Sequence, residues 1–298
     1  MPSIPFIGET LSLVTAAIWA LAVTLFRKSG ETVHPLALNA FKNLLAIVLL
    51  VPTIWVAGQA LWLPTPARAY LLLFLSGIVG IGLGDTLFFQ SLNRLGAGLT
   101  GIVVCLYSPF IITLSYIFLD EQLSGIQLAG ALLILVAVLL TSLHRRSDST
   151  VSPRILPGII YGVAASAAMA AGVVIMKPLL GTHPVIWVAL IRLAGGMTML
   201  AVILLFHPAR STILISSIST KNWHYTLGGS LLGAYVSMIM WIAGMKYTQA
   251  STASALNQTN TIFIFIFAGL ILKEPITARR AIGVCLAFIG AALVSFCR

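Results

Sequence analysis

Residues 36–57 read LALNAFKNLLAIVLLVPTIWVA, an apolar run whose one charged side chain is Lys42. As a helix such a run is about 33 Å long, enough to cross the ~30 Å hydrocarbon core of a bilayer. A barrel strand is excluded because apolar and polar residues do not alternate. Nine further runs of this kind lie near 8–26, 69–92, 97–118, 125–143, 155–176, 185–206, 225–245, 250–272 and 280–297. The chain is therefore expected to be an all-α membrane protein with ten transmembrane helices. Composition agrees: 59% of residues are apolar and 8% charged, far too little charge to cover a soluble domain. The run at 8–26 has no basic segment before it and reads as the first span, not as a cleaved signal.

The net charge of +10 arises from seven acids against seventeen bases. The bases are scattered through short loops, as membrane-flanking Lys and Arg are. They form no contiguous stripe that could track phosphates, so no nucleic-acid partner is expected. Cys105, Cys285 and Cys297 fit neither a metal site nor a disulfide framework. The histidines (34, 144, 183, 207 and 224) lie in loops or at span edges, with no His-Glu-x-x-His. The glycines from Gly77 to Gly84 fall inside an apolar span, not between a strand and a helix, so they make no phosphate loop. No catalytic constellation, metal or cofactor is expected.

The two halves echo each other. Lys28 and His34-Pro35 recur 149 residues later as Lys177 and His183-Pro184. Leu119-Asp120-Glu121-Gln122-Leu123-Ser124 recurs 153 residues later as Leu272-Lys273-Glu274-Pro275-Ile276-Thr277, and Gly130 as Gly283. The shared order and nearly constant offset indicate repeats over 1–143 and 155–298, joined by a polar linker at 144–154. Five spans is an odd number, so the second repeat enters the membrane from the opposite side. Two inverted five-helix repeats around a central cavity are a transporter architecture, with substrate at the midplane interface. One chain supplies both halves, so a monomer suffices.

Ionisable residues within spans are costly, by roughly 2.5–3.5 kcal/mol on insertion scales. Three stand out, away from the span ends: Lys42, Asp85 and Arg192. Lys42 and Arg192 have stems long enough to reach the interface. Asp85 is short and central. It reads either as a structural ion-pair partner of Lys42 or Arg192, or as a substrate or proton carboxylate. Two cations and one anion suit a zwitterion, with Trp19, Phe88, Tyr107, Tyr235 and Trp241 as candidate aromatic lining. In the ninth span, Asn257-Gln258-Thr259-Asn260-Thr261 is too polar for lipid; Asn257 and Thr261 share a helical face, as do Ser254 and Gln258. The matching fourth span carries Pro109, expected to kink it. Glu121 and Glu274 precede helix starts, with Ser124 or Thr277 as N-cap and Ser124 with Gln127 forming a capping box, and read as structural.

The motifs together resemble the EamA family of the drug/metabolite transporter superfamily. They are Trp19, Phe26-Arg27-Lys28 and His34-Pro35, the Gly-rich third span, and Asp120-Glu121 followed by Ser124, Gln127 and Gly130. The second half adds Lys177, His183-Pro184, Lys273-Glu274-Pro275, Thr277 and Gly283. The resemblance covers nearly the whole chain. It implies a multi-pass protein of the cell inner (plasma) membrane that moves amino acids or related small metabolites outward, by alternating access driven by a gradient. Drug or nucleotide-sugar carriers of the same superfamily are alternatives; a channel or membrane-embedded enzyme is the alternative from another class. The small drug exporters of that superfamily use a carboxylate within their first helix, and this chain has only Glu9, at the helix entrance.

Overall fold

A backbone in hydrocarbon finds no water, so each apolar run closes its hydrogen bonds internally as a helix. The computed structural model describes residues 6–119, 125–126, 129–130, 132–134, 136–137, 155–248, 253, 256–274 and 277–296. Among the described residues the helices are, in chain order, α1 (Ile7–Ser29), α2 (Pro35–Val56), α3 (Ala67–Leu95), α4 (Ala97–Phe118), α5 (Ile155–Met176), α6 (Val185–Phe206), α7 (Arg210–Ile218), α8 (Trp223–Tyr247), α9 (Asn260–Ile271) and α10 (Ala278–Phe296). Among the described residues seven helices are long and apolar enough to cross a membrane: all but α7, α9 and α10. Most of the expected span at 125–143, the linker, Glu121, Ser124, Gln127 and Ser254 lie outside the described residues.

Local chemistry sets the helix starts. His34 is the N-cap of α2: its Nδ1 accepts the Leu36 N–H at 3.3 Å, and Pro35 occupies the first turn, where a missing N–H costs nothing. The same dipeptide, His183-Pro184, precedes α6. The helix α7 lies in the connection between the apolar runs at 185–206 and 225–245. At nine residues it is too short for a span, but it buries Ile213 against the bundle. Pro109 does not kink a continuous helix. The fourth span is broken before it, at Cys105–Leu106, and Pro109 sits in the first turn of the restarted segment Tyr107–Leu119.

Two helices are wound differently in midcourse. π-Helical turns occupy Ile78–Gly84 in α3 and Leu231–Val236 in α8, again 153 residues apart. The packing shows the same correspondence. α1 packs on α8 and α9, while α5 packs on α3 and α4; α2 packs on α6, and α4 on α9. The halves interlock rather than sit side by side.

Glycine makes the central crossing possible. A Cβ on Gly77 of α3 would lie 1.8 Å from the Arg192 carbonyl oxygen of α6, and one on Gly195 would lie 2.1 Å from that of Phe74. These helices therefore touch backbone to backbone, as small residues allow in lipid. At the α3–α4 corner Gly96 adopts a φ of +82°, which glycine alone takes without strain. There the Glu274 carboxylate accepts the Ala97 and Gly98 N–H groups, at 2.8 and 3.2 Å. The acid expected to serve the helix after it thus caps α4, in the other half of the chain.

Gly77→Ala should lower the unfolding temperature in detergent, at a cost of about 1–3 kcal/mol, because α3 must retreat from α6. Gly181→Ala, whose added Cβ meets nothing within 4 Å, should leave it unchanged.

Candidate functional site

Where the interlocked helices diverge, they leave a cavity of about 150 Å³, some tenfold the volume one water needs. Its wall is drawn from both halves: Thr15 and Trp19 of α1, Lys42 of α2, Gly80, Ile81 and Asp85 of α3, Val104 and Tyr107 of α4. The second half supplies Met169 and Val173 of α5, Arg192 of α6, then Gly233, Ala234, Ser237, Met238 and Trp241 of α8. Asn257, Gln258 and Asn260 complete it.

The irregular stretches put polar groups at this wall. A π turn leaves carbonyls without their usual intrahelical donors. Asn39 of α2 serves them, donating from Nδ2 to the Ile81 carbonyl at 3.0 Å and to the Thr86 hydroxyl at 2.9 Å. Its own Oδ1 accepts Asn43 Nδ2 at 3.1 Å. Asn43 Oδ1 then accepts Lys42 Nζ at 2.9 Å, and Lys42 Nζ donates to Asp85 Oδ2 at 2.7 Å. Lys42 is 2% exposed, so its stem does not carry the charge to the interface. Of the two cations, it is Lys42 that pairs with Asp85.

Arg192 is equally buried and differently placed. Its Nε donates to the Ser76 hydroxyl at 2.9 Å, and one terminal nitrogen reaches Met176 Sδ at 3.1 Å. The Ser76 hydroxyl in turn donates a hydrogen bond to the Gly172 carbonyl at 2.6 Å. The guanidinium lies over the Trp241 ring, 5.4 Å from its centre. Among the described residues no carboxylate is within ion-pair distance of it.

The fourth and ninth spans meet at matched interruptions. Gln258 Nε2 donates to the Cys105 carbonyl at 3.2 Å and the Ser108 hydroxyl at 2.9 Å, bridging the break at Cys105–Leu106. The ninth span is itself interrupted at Thr259. That interruption separates two residues a continuous helix would align: Asn257 faces the cavity, whereas the Thr261 hydroxyl packs 3.2 Å from Cys105 Sγ.

Seven of the ten side chains singled out in the sequence meet at the cavity: Trp19, Lys42, Asp85, Tyr107, Arg192, Trp241 and Asn257. The other three stand behind it. Phe88 is core, its ring 6.1 Å from that of Trp19. Tyr235 shares a hydroxyl–hydroxyl bond of 2.7 Å with Thr53. Thr261 holds the α4–α9 contact. The sequence reading did not single out Thr15 or Ser237, since a hydroxyl in a span commonly bonds its own helix. Met238 and Val173 carried no signal either, because apolar wall and apolar core look alike in sequence.

The sequence matches the EamA-like transporter family twice, over residues 6–143 and 156–296. Similar chains include an uncharacterized transporter of Archaeoglobus fulgidus, 26% identical over 93% of this chain and 94% of that one. The chloroplastic WAT1-related protein of Arabidopsis thaliana is 25% identical over 98% of this chain and 70% of its own. Protein PecM of Dickeya dadantii is 24% identical over 74% and 72%. A crystal structure superposes with a TM-score of 0.70 over 97% of this chain and 96% of the other, at 19% identity, a likeness of fold.

Asp85→Asn should destabilise the protein by about 3–5 kcal/mol, because it leaves Lys42 buried without its counter-charge. Lys42→Met combined with Asp85→Leu should cost clearly less. Thermal unfolding of the three variants beside wild type makes the comparison.

Proposed function

Because the chain belongs to the EamA-like transporter family, and so is a membrane transporter of the drug/metabolite superfamily rather than an enzyme, we propose that it is a secondary-active carrier exporting amino acids or related small metabolites. It works by alternating access across the inner (plasma) membrane. One observation carries this reading: a cavity with a mainly apolar wall, set with a few polar and charged groups, lies between the halves and is walled by both. Motion of one half against the other would open such a cavity to each side in turn.

An inverted pair of repeats, 1–143 and 155–298, supports that motion. The π turns at Ile78–Gly84 and Leu231–Val236 and the interruptions near 105 and 259 occupy corresponding places in the two repeats. Irregular turns in matched helices supply backbone that can rearrange around a fixed site. Trp19, Lys42, Asp85, Tyr107, Arg192, Trp241 and Asn257 form the substrate site in this reading; Phe88, Tyr235 and Thr261 support it from behind. A nucleotide sugar would bring two phosphates' worth of charge to a cavity with a single net positive charge, and fits it poorly.

Proteoliposomes preloaded with an unlabelled amino-acid mixture should take up trace labelled substrate with saturation and a transient overshoot. Flux that rises linearly with concentration, with no counterflow, would mark a channel instead.

A further inference from the structure

The charges around the cavity are not evenly spent. Lys42 and Asp85 lie 2.7 Å apart and cancel. Arg192 is left with a serine hydroxyl and a thioether as partners, neither of them charged. A guanidinium kept in a membrane interior without a counter-ion is expensive and marks a functional position. Gly80 lies beside it: a Cβ there would come 3.3 Å from the second terminal nitrogen of Arg192, so glycine keeps that nitrogen accessible at the cavity wall.

Donors gather around the same space. The Tyr107 hydroxyl and Asn257 Nδ2 are buried at the cavity wall and have no hydrogen-bond partner among the described residues. Buried polar atoms left unpaired are uncommon and call for an occupant. A phenol, an amide N–H and a guanidinium nitrogen are all donors, and three residues bearing such donors on the wall of one cavity, one of them a cation, suit an anion. Trp241, already under the guanidinium, and Trp19 add flat apolar wall for the rest of the ligand.

Building on the carrier reading above, we propose that this cavity recognises its cargo through a carboxylate held by Arg192, Tyr107 and Asn257, and that it has no site for an ammonium. Among the described residues Asp85 is the one carboxylate at the cavity wall, and it is already held by Lys42 at 2.7 Å. An amino acid then binds by its acid end alone. A monocarboxylate with the same flat apolar body binds at least as well, because its single negative charge balances the net positive charge of the site.

The test uses the purified full-length protein in detergent, its unfolding temperature titrated with 3-phenylpropionate, phenylalanine, phenethylamine and, at matched ionic strength, chloride. Both carboxylates should stabilise the protein, 3-phenylpropionate with the same or lower apparent Kd, while the amine and chloride do nothing. Arg192→Gln should weaken 3-phenylpropionate at least about tenfold. Should that variant fold poorly, Tyr107→Phe should weaken it about fivefold with the fold intact. Phenylalanine binding tenfold tighter than 3-phenylpropionate would overturn the proposal; so would comparable binding of phenethylamine, stabilisation by chloride alone, or affinity unmoved by both variants. Counterflow in proteoliposomes keeps the two readings apart. Carboxylate binding without saturable flux retains the anion site and sinks the carrier; saturable flux of another solute without carboxylate binding does the reverse.

Discussion

Inside a bilayer a charge persists only where the protein answers it, and the 2.7 Å bond between Lys42 and Asp85 is where this chain meets that demand most directly. The pair joins α2 to α3 at the end of a π turn. The turn's freed carbonyls are served by Asn39, which orients Asn43, which in turn holds Lys42. A helix irregularity, two amides and an ion pair thus form one network. Loosening any member leaves another buried and unanswered, which is why such networks act as a unit.

Arg192 follows the opposite logic. Its backbone lies at a close crossing, where α6 touches Gly77 of α3, and its side chain reaches the cavity wall with neutral hydrogen-bond partners. The glycines that let the helices meet also set how far the guanidinium reaches. Packing and electrostatics are therefore joined at this crossing: the contact that holds the halves together also presents a cation to whatever enters.

Much of this was legible in the chain. The helices at 155–176 and 185–206 end where their apolar runs end, since length and hydropathy alone decide what can sit in lipid. Lys42, Asp85 and Arg192 stood out because a charge is conspicuous against an apolar background. The aromatics were harder. Trp19, Tyr107 and Trp241 line the cavity while Phe88 and Tyr235 do not, and nothing in residue type separates them. Thr261 was misplaced for a definite reason: the i,i+4 rule holds within one unbroken helix, and the ninth span breaks at Thr259.

By itself the sequence determined the membrane class, the places of seven spans and the list of costly residues, because these follow from transfer of single side chains out of water. Only the tertiary structure decided which cation pairs with Asp85, that Glu274 caps α4 in the other half, and that Arg192 is left over. Those are properties of distances between helices. Distances between helices are set by glycine contacts and π turns that no local pattern of hydropathy encodes.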